Sequence, residues 1–467
     1  MENILKVRDD HEPTRFTKVS EASNAGDAFQ VEGESSPHWV GTDKKFGLKE
    51  LRARIEPWLT ALFQSEHLSL LAGSGLTHAV HHAAAGSSAA GMNRAKLSIY
   101  ADKIDKAAEQ SAKKCGRADG NIEDQLRAAN EVLRGLEILQ PNEDDTVALR
   151  NEIRNALKNL ATEVLKSETT IATSPESKRE HAFALLVTFL MSFASRSGVR
   201  DRLNIFTTNY DRLIESGAEI AGLHLLDRFL GNLTPIFRSS RLEVDMHYNP
   251  PGIRGEPRYL EGVARFTKLH GSVDWIESQG EIRRIGLPFG AGEVTPFLNA
   301  PGFQGCTERE LMIYPNAAKD RETSLYPYIE LFRDLAAALC RPNSTLVTYG
   351  YSFGDDHINR VIRDMLTIPS THLVVISYSD PLGRIIKHYT EIGRPSQISL
   401  LIGPELANLE TLTTSLLPKA AIDRTTFRMA ELLKHRFGAT HPGRSSSSAS
   451  GGASADPDSI DFATEPK

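Results

Sequence analysis

A chain of 467 residues with 40% hydrophobic and 24% charged residues has the profile of a globular protein, long enough for one large domain or two to three ordinary ones. Its net charge of −6, without a long basic run, argues against nucleic acid as the main partner, and no run of about 18 apolar residues offers a membrane span. Three scattered cysteines, Cys115, Cys306 and Cys340, fit a reduced cytoplasmic setting and exclude a Cys-x-x-Cys zinc site, and the first residues lack the charged-then-apolar order of a secretory signal.

Residues 1–45 are polar and unpatterned, and read as a flexible N-terminal arm. Helical periodicity begins near Gly47, where Leu48, Leu51, Ile55, Leu59 and Leu62 share a face. A short apolar run, His67–Leu71, leads into Ala72-Gly-Ser-Gly-Leu-Thr77, which reads as strand, tight turn and helix. Residues 86–199 read as a helical insertion. Its stripes are Ile122, Leu126, Val132, Leu133 and Leu136, then Val147, Ile153, Leu157, Leu160 and Val164, and a third helix covers about His181–Ala194. Such stripes are core packing between helices.

Strand signals return at Arg202–Thr208, Phe266–Leu269, Leu311–Tyr314, Ser344–Tyr349, His372–Tyr378 and Ile398–Ile402, with helices over about Ser324–Leu339 and His357–Leu366. Short apolar strands alternating with helices predict an α/β protein: a Rossmann-like, mostly parallel sheet with helices on both faces and a helical insertion. Residues 46–85 and 200–403 would form that domain. Residues 404–440 read as a C-terminal helical segment and 441–467 as a disordered tail, rich in Ser and Gly.

Four polar loops follow strands. Gly73-Ser-Gly-Leu-Thr77 could bring backbone N–H groups to a phosphate at a helix N-terminus, or could be a plain turn. In Thr207-Thr-Asn-Tyr-Asp211, Asn209 or Asp211 could cap the next helix, or the Asn209 carboxamide could orient a water or a ribose hydroxyl. Lys268-Leu-His-Gly-Ser272 delivers His270, which alone reads equally as a buried structural histidine. Gly350-Tyr-Ser-Phe-Gly-Asp-Asp-His-Ile-Asn359 enters a helix that Asp355 or Asp356 could cap. Ligands in open α/β sheets bind at such strand ends.

Taken together and in this order, the loops resemble the sirtuin-like superfamily, whose members carry Gly-Ala-Gly-x-Ser, Thr-Gln-Asn-x-Asp, His-Gly-Ser and Gly-Thr-Ser. The form Gly-Tyr-Ser-Phe-x-Asp-x-His-Ile-Asn is closer still to the bacterial sirtuin-like NAD-consuming effectors of anti-phage systems. The resemblance spans about residues 66–380. It implies Asn209 and His270 as the catalytic pair. It implies Gly73, Ser74, Gly75 and Thr77 along the dinucleotide phosphates, with Thr207 beside them. Asp211 would sit near the nicotinamide, and Gly350 and Ser352 near the phosphates or adenosine ribose. Ser377 would lie by the adenosine, where sirtuins often carry asparagine. No zinc ribbon is expected, since three scattered cysteines cannot build its paired Cys-x-x-Cys module.

The implied activity is hydrolysis of NAD⁺, taken as substrate, to nicotinamide and ADP-ribose, in a regulated abortive-infection effector of antiviral defence. The resemblance further implies a homo-oligomer and a separate HerA-type ATPase or Argonaute-like partner, since the chain has no Gly-x-x-x-x-Gly-Lys-Ser/Thr motif of its own. The alternatives are an NAD-dependent deacylase or ADP-ribosyltransferase, and a non-catalytic NAD or ADP-ribose sensor.

Overall fold

The computed structural model describes residues 2–7, 10–19, 28–33, 37–114, 119–195, 201–240, 246–248, 258–307, 311–313, 326–380 and 382–419. The expected tail at 441–467, and residues 420–440 of the expected C-terminal helical segment, lie outside them.

In chain order, four short strands open the chain: β1 (Asn3–Lys6), β2 (Thr14–Lys18), β3 (Phe29–Val31) and β4 (Lys45–Phe46). Then come α1 (Leu48–Phe63), β5 (His67–Ala72) and α2 (Ser74–Ala85), and a run of helices: α3 (Ala101–Lys114), α4 (Ile122–Leu139), α5 (Asp144–Ala172) and α6 (Glu176–Ala194). Next are β6 (Asn204–Thr207), α7 (Leu213–Ala221), β7 (His224–Leu226), β8 (Phe229–Leu230), β9 (Ile236–Phe237), β10 (His247–Tyr248), β11 (Arg258–Tyr259), β12 (Val263–Lys268), β13 (Gly271–Ser278), β14 (Glu281–Arg284) and β15 (Leu311–Ile313). The series ends with α8 (Tyr328–Leu339), β16 (Ser344–Tyr349), α9 (Asp356–Leu366), β17 (His372–Ser377), α10 (Arg384–Ile392) and β18 (Ile398–Ile402), followed by short helical turns.

The main sheet has eleven strands in the order β4-β3-β2-β1-β18-β17-β16-β5-β6-β12-β7. From β18 to β7 all neighbours are parallel. The chain enters this parallel region at β5, builds outward through β6 and β12, then returns to the other side of β5 with β16, β17 and β18. The direction of winding therefore reverses between β5 and β16, which opens a crevice beyond their carboxyl ends. Both faces are covered. Leu76 and Val80 of α2, Leu186 and Phe189 of α6 and Ile55 of α1 pack on one. Leu331 and Leu335 of α8, Ile358 and Ile362 of α9 and Ile385 of α10 pack on the other. The architecture is the expected Rossmann-like α/β sheet.

Three expectations need correction. The described residues of the expected flexible arm at 1–45 are built into the sheet: β1 pairs antiparallel with β18, and β2, β3 and β4 extend the sheet from it. Leu5, Phe16, Phe29 and Phe46 are buried there, the three phenylalanines edge-to-face or tilted against one another. Residues 86–199 do not act as one insertion. Helices α3, α4 and most of α5 share a core with a second, antiparallel sheet, β15-β13-β14-β9-β8, through Leu126, Leu149, Ile153, Val273 and Ile276. Helix α6 instead lies under the main sheet. The strand at Leu311, expected in the parallel sheet, belongs to this second sheet as β15.

Candidate active site

At the mouth of the crevice, two glycine turns are stitched together. Gly73 N–H donates to the Tyr349 carbonyl at 2.9 Å and Gly75 N–H to the Gly350 carbonyl at 3.1 Å. A Cβ at Gly73 would lie 2.5 Å from the Gly350 oxygen, and one at Gly75 would lie 2.5 Å from the Gly350 Cα. Gly350 itself holds φ +61°, in the left-handed region. The sequence needs glycine at these positions because two backbones touch. The Gly73 and Gly75 N–H groups are engaged in that contact, whereas Ser74 heads α2 and faces the cavity.

The Thr207–Asp211 loop leaves β6 and is held by a chain of hydrogen bonds. Thr207 Oγ1 donates to the Ala72 carbonyl at 2.9 Å and accepts from Asn209 N–H at 3.1 Å. Asn209 Nδ2 donates to the Gly73 carbonyl at 2.9 Å and to Thr77 Oγ1 at 3.0 Å. Thr77 in turn donates to Asp211 Oδ2 at 2.6 Å, and Asp211 Oδ1 accepts from Leu213 N–H at 3.0 Å, at the start of α7. With both Nδ2 hydrogens used, Asn209 presents its Oδ1, an acceptor, to a ligand. Asp211 performs the capping role weighed for it and also lines the cavity.

Lys268, buried at the end of β12, fastens this loop from beneath. Its Nζ donates to the Asp211 carbonyl and, at 2.9 Å, to Glu215 Oε1. Two residues on, His270 is 5% exposed. Gly271 follows at φ +85°, turning the chain sharply into β13 where a Cβ would meet the Met312 carbonyl. Val273 N–H and Ser272 Oγ both donate to the Tyr210 carbonyl, at 3.0 and 3.2 Å. The two loops are therefore one bonded unit, with the Tyr210 and His270 rings 6.4 Å apart.

The cavity they surround encloses about 290 Å³, at the lower end of small-ligand sites at ~300–1,000 Å³. Its lining brings together Gly73, Ser74, Thr77, Asn209, Asp211, His270, Gly350 and Ser352. Three expected site residues are not in that lining. Gly75 is pressed against Gly350, Thr207 supports Asn209 from behind, and Ser377 Oγ donates to the Ser379 carbonyl at 2.9 Å.

The structure adds groups that sequence reasoning missed. Ala90, Gly91, Met92, Asn121, Glu123 and Val164 form a roof from the helical region. Tyr210 Oη donates to Glu123 Oε1 at 3.0 Å; burial, with Glu123 adding to it, pushes the Tyr210 phenol well up, so it stays a donor. His78 also faces the cavity, its pKa lowered by burial and by nearby His81 against the pull of Asp211. Asp355, His357 and Arg384 line the far wall. Nothing local to Glu123 marks it as a site residue, whereas Asp355 and His357 stand in the fourth loop of the sequence, the first as a possible helix cap and the second within the motif that carries the resemblance.

A parallel α/β sheet with an amide, an imidazole and a helix N-terminus at its switch point defines a Rossmann-like protein with a cavity where such sheets bind ligands. Residues 203–391 match the family described as SIR2-like domain, which supports a sirtuin-like assignment for the region from β6 to α10 and NAD-related activity in general. The match begins after β5 and its glycine turn, which the sheet nonetheless places beside β6. No curated protein matches the chain.

Proposed function

We propose that the protein is an NAD⁺ hydrolase that cleaves the nicotinamide–ribose bond to nicotinamide and ADP-ribose. The observation that carries this reading is the convergence of Asn209 and His270, from two different strand ends, on one cavity at the switch point. Binding alone requires neither a positioned amide acceptor nor a buried imidazole.

Nicotinamide leaves as a neutral base, taking the glycosidic electron pair and leaving an oxocarbenium-like ribose, as in glycoside hydrolysis. Water then bonds to C1′ and loses a proton. His270 accepts that proton, directly or from a ribose hydroxyl, and passes it to solvent. Asn209 Oδ1 accepts a hydrogen bond from the water or the ribose and fixes its approach. The Asp211 carboxylate adds negative potential near the developing cation.

His270→Ala and Asn209→Ala should each lower nicotinamide release from NAD⁺ by about 10²–10⁴-fold, with the circular dichroism spectrum unchanged. Turnover like the parent protein's in either variant would refute the pair.

An enzyme of this kind needs restraint in a living cell. The reading therefore extends to a cytoplasmic, regulated effector of antiviral defence that acts as a homo-oligomer with a separate HerA-type ATPase or Argonaute-like protein. Light scattering with and without the product of a neighbouring reading frame tests that extension; a monomer whose turnover no partner alters would end it.

A further inference from the structure

We propose that His270, Asp355 and His357 form a binding site for one divalent transition-metal ion of zinc chemistry, opening into the same cavity. One ligand atom from each residue lies within 4.8 Å of the other two. They converge from opposite sides of the crevice: His270 from the end of β12, Asp355 and His357 from the loop between β16 and α9. Asp355 occupies the N-cap position of α9, yet its side chain makes no capping hydrogen bond to the helix. One of its carboxylate oxygens lies within 4.8 Å of a ring nitrogen of each imidazole. His357, in the first turn of α9, has its ring 6.3 Å from that of His270, and Phe332 of α8 packs edge-on against it at 4.8 Å.

Zinc bonds of ~2.0–2.2 Å in a tetrahedron set donor atoms ~3.3 Å apart. With every pair within 4.8 Å, the donors need close by at most about 1.5 Å, which side-chain rotation about χ1 and χ2 supplies. Two imidazoles and one carboxylate suit zinc and its neighbours in the transition series. Calcium or magnesium would want six or more oxygen donors, and this cluster offers one carboxylate. Three protein donors leave the fourth position to the cavity, as in sites where zinc exchanges its outer ligand. No cysteine takes part, so the argument that excludes a zinc ribbon does not bear on this site.

The consequence for turnover follows from the imidazole itself. A neutral ring has one nitrogen lone pair, and its other nitrogen carries hydrogen. When a metal takes the His270 lone pair, the ring cannot accept a proton. Bound metal therefore blocks the general base reversibly. This last step, unlike the site, rests on the NAD⁺ hydrolase reading.

The test is titration of chelator-treated, full-length protein with Zn²⁺ by calorimetry, and with Co²⁺ by visible absorption. One ion per chain should bind, and Co²⁺ should show the intense bands of a four-coordinate site. Asp355→Asn and His357→Gln, each checked for an unchanged melting temperature without metal, should weaken Zn²⁺ binding at least tenfold and remove the bands. Should either replacement fail to fold, His357→Ala and Asp355→Ala take their place. Equal Zn²⁺ binding by parent and variants, or no stoichiometric binding by the parent, would overturn the site. These arms need no turnover, so they decide the site even if NAD⁺ proves not to be the substrate. Where NAD⁺ is consumed, saturating Zn²⁺ should stop it and a chelator should restore it; turnover indifferent to a bound ion would overturn the block alone.

Discussion

Gly350 and Thr77 show how individual residues carry the site. Gly350→Ala places a Cβ against Gly75 at a backbone angle that costs an L-residue roughly 1–2 kcal/mol before any clash. Thermal denaturation should therefore show a loss of at least ~2 kcal/mol, accompanied by a rise in the KM for NAD⁺. Thr77 is a positioning residue, since its hydroxyl links Asn209 to Asp211. Thr77→Val should lower kcat about tenfold, the equivalent of one ordinary hydrogen bond, whereas Thr77→Ser should restore it; a Ser variant as poor as Val would show that the methyl, not the hydroxyl, matters. Most of these residues were legible as motifs because polar groups stood directly after apolar strands. Gly75, Thr207 and Ser377 lie beside the cavity lining and not in it, because sequence adjacency does not reveal which side of a loop a side chain faces. Tyr210 was passed over because an aromatic beside a strand reads as core, which its body is.

Between elements, buried charge does the fastening. Arg212, at the N-cap of α7, forms an ion pair with Glu168 of α5 and reaches the Leu287 and Pro288 carbonyls. Burial drives the Glu168 carboxyl up and the guanidinium opposes it. Removing one partner leaves the other buried and uncompensated, so Glu168→Ala should cost about 3–5 kcal/mol in urea denaturation. A second buried pair joins β12 to α7, Lys268 with Glu215. Burial raises the Glu215 carboxyl to about 7, against the pull of Lys268 and with Asp274 adding to the rise. A carboxyl held above its unfolded value of 4.5 favours folding at low pH and loses that contribution as pH rises through 7. The unfolding free energy should thus fall between pH 4.5 and 7, by an amount on the order of 3 kcal/mol, seen as a lower melting temperature, and Glu215→Gln should flatten that slope. An unchanged slope would place the titration elsewhere. The stripes on α4 and α5 announced these helices in the sequence, but not that α6 belongs to a different core, because periodicity reports that a face is buried and not against what.

Across the whole molecule, the parallel strands from β5 to β18 were legible because each is a short, nearly continuous apolar run buried on both faces. The opening strands were not. Asn-Ile-Leu-Lys at residues 3–6 is too brief for a period, and it carries two polar side chains that the structure buries completely. β1 covers the edge of β18. Deleting residues 1–46 should therefore expose an apolar parallel strand and yield aggregates on size-exclusion chromatography; a soluble, monodisperse truncation would show the opening strands to be dispensable. The same large-scale view gives the roof its meaning. Helix α4 runs for eighteen residues from Asn121, its cap, beside the cavity. Glu123, in the first turn, accepts from the Tyr210 phenol, and the Tyr210 backbone is bonded in turn to the strand that begins just after His270. The first turn of the helix therefore ends beside the imidazole. Between α4 and the His270 loop run both the packed core of Leu126, Tyr210, Val273 and Ile276 and the phenolic hydrogen bond to Glu123, so a Tyr210→Phe replacement, which keeps the first and removes the second, should show how far the hydrogen bond alone holds the imidazole in place.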